Sequence, residues 1–455
     1  MKVHFISVGG SVMHQLAIAL HKKGYQVTGT DDEIFEPALS NLQREGLLPA
    51  SIGWQPALVT KDLDAVILGM HAKSDNPELL RARELGLPIY SFPEYIYQES
   101  KDKQRVVVGG SHGKTTTTSM IMHALQKNHQ DFDYLVGARV EGFSQSVNIT
   151  HAPVIVCEGD EYPASAIERK PKFHFLYPHI AILTGIAWDH INVFPTFDIY
   201  LEQFRIFISR IEKGGLLIYN ETDPELARLV AATHRDDIRY QPYGVPAHRI
   251  ADGQTLVTLE GQTGALRVFG NHNLMNLQAA YYVCKELGMT AAAFVPAMAD
   301  FTGAAKRLEL LAQTAGMNVY RDFAHAPSKV KATMEAVKQQ YPDRKLIAVL
   351  ELHTYSSLNE AFMQEYQGAL EQADEALVFY SAHALELKRL PVLPAEKVIA
   401  GFAKPGLVVL TDRAELERWL RSRDYAQSNL LLMSSGNYDG MDLPAFAQEI
   451  TRASY

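Results

Sequence analysis

Cysteine is nearly missing from this 455-residue chain: Cys157 and Cys284 are the only two. They lie far apart and outside any metal-ligand spacing, which argues against a disulfide scaffold or a structural zinc site and suits a reducing cytoplasm. Long apolar runs are also missing. No stretch of 18 apolar residues occurs, so no membrane-spanning helix is expected. The opening MKVHFISVGG lacks a basic region followed by a long apolar core, so no signal peptide is expected. Basic charge is in deficit, with 43 Lys and Arg against 52 Asp and Glu for a net charge of −9. That balance disfavours nonspecific nucleic-acid binding but leaves room for a local basic pocket that takes a phosphorylated small molecule. No repeat, coiled coil or low-complexity segment stands out.

What remains is a chain too long for one hydrophobic core, and its length predicts about three domains. Residues 1–103 read as a small α/β unit, with strands at Lys2–Val8, Tyr25–Thr30, Ala65–Leu68 and Pro88–Tyr90 and helices at Met13–Lys23 and Asn76–Glu84. A second unit, 104–310, has strands at Val106–Val108, Val154–Cys157, Ile180–Thr184 and Leu216–Tyr219. Its stretch GQTLVTLEGQTGALRVFG reads as antiparallel hairpins, and Gly270–Leu287 returns to helix. A third unit, 311–455, opens with the strand MNVYRDFAH and carries helices near 359–373 and 412–422. Short apolar strands alternating with helical periodicity predict three consecutive α/β domains, their parallel sheets covered by helices.

The stretch RVVVGGSHGKTTTTSM joins a strand to a helix through glycines. Such a turn presents the free N–H groups of the helix start to an anion. Gly110, Ser111, His112 and Gly113 form the turn; Lys114 would reach the outer phosphates of a nucleotide, Thr115 would offer a hydroxyl to magnesium, and Thr116 follows. Val108 stands where the general phosphate-loop pattern has glycine, so a plain glycine turn with a surface lysine is the competing reading. In the first unit, Gly10 lies in a similar turn, and Asp31 and Asp32 follow the second strand, where an acidic side chain can meet a ribose hydroxyl. Tight-turn glycines without a ligand explain that turn equally well.

VIVCEGDEY places Glu158, Asp160 and Glu161 after one strand, and AILTGIAWDHINVFP places Asp189 and His190 after the next. If those strands are neighbours in a parallel sheet, the groups meet at its carboxyl edge and can hold Mg²⁺ beside a triphosphate. Solvated loop acids are the modest alternative. In FGNHNLMNLQAA, His272, Asn273 and Asn276 open a helix, where amides can read an adenine or simply cap the helix. Arg307 stands before the third unit, and Asp322 and His325 lie at a strand end from which they could face a nucleotide.

In this order and spacing, GGSHGKTTTTS, EGDEY, GIAWDH, FGNHNLMNLQAA, AAKRLE and RDFAHAPSKV resemble the Mur ligase family of ATP-dependent peptidoglycan ligases almost from end to end. The resemblance implies a Rossmann-like first domain that grips a UDP-sugar, a phosphate-loop ATPase-like central domain and a Rossmann-like third domain that receives the amine. It places Gly10 and Met13 in the UDP-binding turn, beside which Asp31 is the candidate acid for the ribose, and Lys114 and Thr115 in the phosphate loop. Glu158 and His190 match magnesium ligands, two ions being implied, with Thr115 as a further ligand. His272, Asn273 and Asn276 match the adenine side; Arg307, Asp322 and His325 match positions that complete the nucleotide site.

The implied reaction is a two-step ligation. The carboxylate of UDP-N-acetylmuramate takes the γ-phosphate of ATP, and an amine then displaces phosphate from the acyl phosphate. EGDEYPASAIERKPKFHFLYPH and LLMSSGNYDGMD lean toward members that accept the murein tripeptide L-Ala-γ-D-Glu-meso-diaminopimelate in peptidoglycan recycling; L-alanine is the alternative acceptor. A non-catalytic nucleotide-binding module is the remote alternative. Ser7 replaces a glycine usual in the first motif, and ELHTYSSL departs from more usual arginine-bearing text. LEQFRIFISR offers no lysine for the carbamylation found in several members, so none is expected.

Overall fold

The computed structural model describes residues 1–453 except 71, 139, 189–192, 252 and 304–306. The first sheet is parallel and contains β1 (Lys2–Ile6), β2 (Gln26–Thr30), β3 (Ala65–Leu68) and β4 (Ile89–Ser91) in the order β2-β1-β3-β4. The helices Met13–Lys22 and Pro77–Glu84 lie between its strands in sequence. Asn76 starts the second of these cleanly: its side chain accepts from the N–H groups of Glu78 and Leu79.

The second sheet holds β5 (Gln104–Gly109), β6 (Asp133–Leu135), β7 (Val147–Asn148), β8 (Val154–Glu158), β9 (Ile180–Leu183), β10 (Leu216–Asn220) and β11 (Arg239–Tyr243). Its order is β11-β10-β9-β5-β8-β6-β7, parallel except at β7. The two strands whose adjacency would have joined the acidic motifs, β8 and β9, are not neighbours; each pairs with β5 instead. Chain order conceals this, because β5 comes first in sequence yet sits in the middle of the sheet.

β12 (His248–Ala251), β13 (Gln254–Leu259) and β14 (Gln262–Leu266) form the expected antiparallel hairpins. The last sheet contains β15 (Glu309–Gln313), β16 (Met317–Asp322), β17 (Lys345–Glu351), β18 (Glu375–Phe379), β19 (Val408–Leu410) and β20 (Ser428–Met433), ordered β15-β16-β20-β17-β18-β19. Its pairings are parallel except that of β15 with β16. The helix expected near 359–373 is instead a 3₁₀ segment, Glu360–Tyr366. Gly368, at φ +75°, turns the chain just beyond it, a conformation that an α-helix cannot continue through. Among the described residues, no helix is long and apolar enough to cross a membrane.

The chain divides into two compact units, residues 1–245 with 275–298, and residues 246–274 with 299–455. The first contains the first two sheets around one apolar cluster that includes Phe5, Leu16, Val107, Phe173 and Phe204. In the second, β17 turns Leu346, Ala348 and Leu350 into one cluster and Ile347 and Val349 into another. That period of two buries both faces of the strand, as a parallel sheet covered on each side requires.

Candidate active site

β5 delivers the glycine turn. Its valines pack into the sheet, and the chain then passes through Gly110 at φ +120° and Gly113 at φ +81° into the helix Lys114–Lys127. Neither glycine has room for a side chain. A Cβ on Gly110 would collide with the Thr184 hydroxyl, and one on Gly113 with the amide oxygen of Asn276. Asn276 therefore lies directly against the turn. Ser111 N–H donates to the Gly185 carbonyl at 2.9 Å, and the Thr184 hydroxyl donates to the His112 carbonyl, so residues just after β9 support the turn from one side. His112 Nδ1 lies 2.7 Å from the Ser111 carbonyl, and Thr116 is buried.

β8 supplies the acids from the other side. Lys114 Nζ donates to the Gly110 carbonyl at 2.7 Å and to Glu161 Oε2 at 2.8 Å. Burial works against its charge, but Glu161, then Asp160 and Glu158, outweigh that and hold the ammonium above the ordinary lysine range. Asp160 is shifted the opposite way. Burial would raise its pKa, but the Lys172 ammonium 2.6 Å away prevails and keeps it below the usual carboxylate range. The Thr115 hydroxyl donates to Glu158 Oε1 at 2.9 Å, while Gly137 N–H donates to Glu158 Oε2 at 2.8 Å. A hydroxyl and a carboxylate fixed side by side are oxygen donors suited to magnesium. Among the described residues, no group of three or more histidine, cysteine, aspartate or glutamate side chains is placed to hold a metal ion. Asp189 and His190 lie outside the described residues.

The other candidates sit elsewhere. In the N-terminal turn, Asp31 is buried and accepts from Gly9 N–H at 2.7 Å and Asp32 N–H at 3.0 Å. The Gly10 carbonyl accepts from His14 Nδ1 at 2.8 Å, and Met13 is buried at the helix start, beside Gly10. Ser7 adopts φ +69°, the left-handed region that favours glycine.

In the second compact unit, Asn273 donates to the Phe269 carbonyl at 2.9 Å, a local bond at the start of the helix Asn271–Glu286. Burial lowers the His272 imidazole to about 4, so that side chain is neutral at pH 7. Asp322 is buried and accepts from the N–H groups of Ala324 at 2.7 Å and Leu308 at 2.5 Å. Burial pushes its carboxyl up, opposed first by Arg307, whose guanidinium lies 4.6 Å from the Phe323 ring centroid. His325 Nδ1 lies 2.8 Å from the Phe323 carbonyl. Arg307, Asp322 and His325 thus share one neighbourhood around Phe323.

Sequence reading passed over Thr184, Gly137 and Tyr200. Thr184 and Gly137 act through a strand-end hydroxyl and a backbone amide, which leave no mark in a motif. Tyr200 looks in sequence like one more aromatic of the helix Phe197–Ser209, yet its hydroxyl lies 2.8 Å from Ser111 Oγ and 3.3 Å from Glu161 Oε1.

Residues 2–104 match the Mur ligase family catalytic domain, 108–284 the Mur ligase middle domain and 306–436 the Mur ligase glutamate ligase domain. The UDP-N-acetylmuramate–L-alanine ligase of Paenarthrobacter aurescens is 32% identical over 388 residues, covering 83% of this chain and 82% of its own. Among solved structures, a murein peptide ligase from Psychrobacter arcticus is similar with a TM-score of 0.61 at 22% identity, over 100% of this chain and 98% of its own. The UDP-N-acetylmuramate–alanine ligase of Thermotoga maritima gives a TM-score of 0.67 at 21% identity, over 100% of both chains. The chain belongs to the Mur ligase family, with its three α/β domains, and is an ATP-dependent ligase that forms a carbon–nitrogen bond.

Proposed function

We propose that the protein joins the lactyl carboxylate of UDP-N-acetylmuramate to the amine of an L-alanyl group, through an acyl phosphate, in the cytoplasm. The observation that carries this reading is Lys114, a partly buried ammonium held at the mouth of a strand–turn–helix by the Gly110 carbonyl and the buried Glu161 carboxylate. Two anions, a carboxylate and a triphosphate, must approach there, and a fixed cation offsets their repulsion as charge moves onto the transferring phosphoryl oxygens. Thr115 and Glu158, with His190, would hold Mg²⁺, which when bound supplies further neutralisation of phosphate charge. The turn residues Gly110–Thr116 and Asn276 cradle the nucleotide, and Gly10, Met13 and Asp31 mark the UDP-sugar side. His272, Asn273, Arg307, Asp322 and His325 are assigned to the nucleotide by the family resemblance. Domain limits at 103 and 310 belong to the same proposal.

The acceptor has two readings that share one amine, since the tripeptide also begins with L-alanine. Free L-alanine is favoured by the names of the curated relatives, such as that of Paenarthrobacter aurescens. The murein tripeptide is favoured by the stretches EGDEYPASAIERKPKFHFLYPH and LLMSSGNYDGMD, which resemble those of family members that accept it. Purified protein given UDP-N-acetylmuramate, ATP and either acceptor separates them. Amide formation with L-alanine alone supports the biosynthetic reading, and tripeptide ligation with a higher kcat/KM supports recycling. ATP binding with no amide formed from either acceptor contradicts the proposal.

A further inference from the structure

Tyr200 takes no part in the reaction as described above, yet its hydroxyl ends inside the polar support of the phosphate turn. Its ring is buried against Phe194 and Phe204, with centroids 5.3 and 5.1 Å away. The Ala187 N–H donates to Ser111 Oγ at 2.8 Å, Ser111 Oγ lies 2.8 Å from the Tyr200 hydroxyl, and that hydroxyl donates to Glu161 Oε1 at 3.3 Å. A hydroxyl has one proton to give. With Tyr200 donating to the carboxylate, Ser111 donates to Tyr200 and accepts from Ala187, so every donor in the chain points toward Glu161. The carboxylate at its end is 1% exposed, and its other oxygen holds Lys114.

We propose that Tyr200, with Ser111, is a positioning residue that keeps Glu161 hydrogen-bonded while Lys114 leaves it for the nucleotide's terminal phosphate. Drawing a cation away from a buried carboxylate is costly, and a neutral donor already in place lowers that cost. Without the donor, Glu161 competes harder for Lys114, and the nucleotide binds more weakly. This rests on the ligase reading, because the exchange needs a phosphate for Lys114 to meet.

Tyr200→Phe keeps the ring and removes the relay. The expected result is a rise of about tenfold or more in the Kd of a non-hydrolysable ATP analogue, the scale of a lost hydrogen bond to a charged group. The Kd of UDP-N-acetylmuramate stays unchanged. Ser111→Ala weakens the analogue in the same direction, and the double variant is no weaker than the weaker single one, because members of one chain couple. Should Tyr200→Phe fail to fold, Ser111→Ala, which leaves the aromatic packing intact, carries the comparison. Unchanged analogue affinity, or two effects that simply add, overturns the relay. Wild-type protein that binds no analogue overturns the ligase reading as well, whereas wild-type binding with unaltered variants overturns the relay alone.

Discussion

At the scale of single residues, the proposed phosphoryl transfer turns on Lys114. Its ammonium is placed by the turn's own carbonyl and a buried carboxylate, so it is preorganised before any substrate arrives. Lys114→Ala is expected to lower turnover at least about 100-fold, or ~3 kcal/mol, the scale of one preorganised electrostatic contact. Initial rates of ATP-dependent ligation check this, and near wild-type rates would contradict it. As candidates, Lys114 and Thr115 were legible in sequence because they stand where a glycine turn passes from strand to helix, and Glu158 because it is an acid at a strand end. Asp31 was legible as an acid after a strand, but not that its oxygens hold Gly9 and Asp32. Ser7 was visible only as a departure from the family text; its left-handed backbone shows that the position keeps a glycine-like conformation without glycine.

At the scale of elements, the strand that carries the turn is anchored at its far end by buried charge. Lys103, just before β5, meets Asp133 at 2.5 Å, with exposures of only 8% and 0%. Its ammonium also donates to the carbonyls of Thr150 and Ala152. Two residues on, Arg105 donates to the carbonyls of Ser100 and Leu176 and to Glu212. Lys103→Ala leaves the Asp133 carboxylate buried without that cation, and the expected loss is about 3–5 kcal/mol. Urea unfolding measures it, and a loss below about 1 kcal/mol would contradict the anchoring role. Strands such as Ala65–Leu68 were legible because continuous apolar runs mark a sheet buried on both faces. The short strands β6 and β7, at Asp133–Leu135 and Val147–Asn148, were not, since two or three residues carry no period. Sheet order was also hidden, because it depends on which crossover each connection takes.

At the scale of the whole molecule, several histidines are kept neutral inside the fold. Burial lowers His174 to about 4, while its Nε2 lies 2.8 Å from the Gln203 carbonyl. Burial, then Arg105, lowers His179, whose Nδ1 accepts from Arg105 N–H. A histidine with a depressed folded-state pKa binds its proton more readily when unfolded. Stability is therefore retained above the ordinary histidine value of 6.5 and falls as pH drops from there toward about 4. His174→Gln keeps a donor for Gln203 and removes that titration. Between about pH 7.5 and 5, its melting temperature should fall less than that of the wild type. An identical fall in both proteins would contradict the assignment.

The serial α/β plan of the whole chain was legible because strand and helix periods alternate from end to end. Its division into compact units was not: one boundary falls inside the helix Asn271–Glu286, where no composition change marks it.

In the proposed reaction the γ-phosphate of ATP passes to the sugar's carboxylate over the Lys114 turn. Ligation with UDP-N-acetylmuramate labelled with ¹⁸O in its lactyl carboxylate tests this directly. One labelled oxygen is expected in the phosphate released, because the acyl C–O bond breaks when the amine attacks. Unlabelled phosphate accompanying amide formation would contradict it.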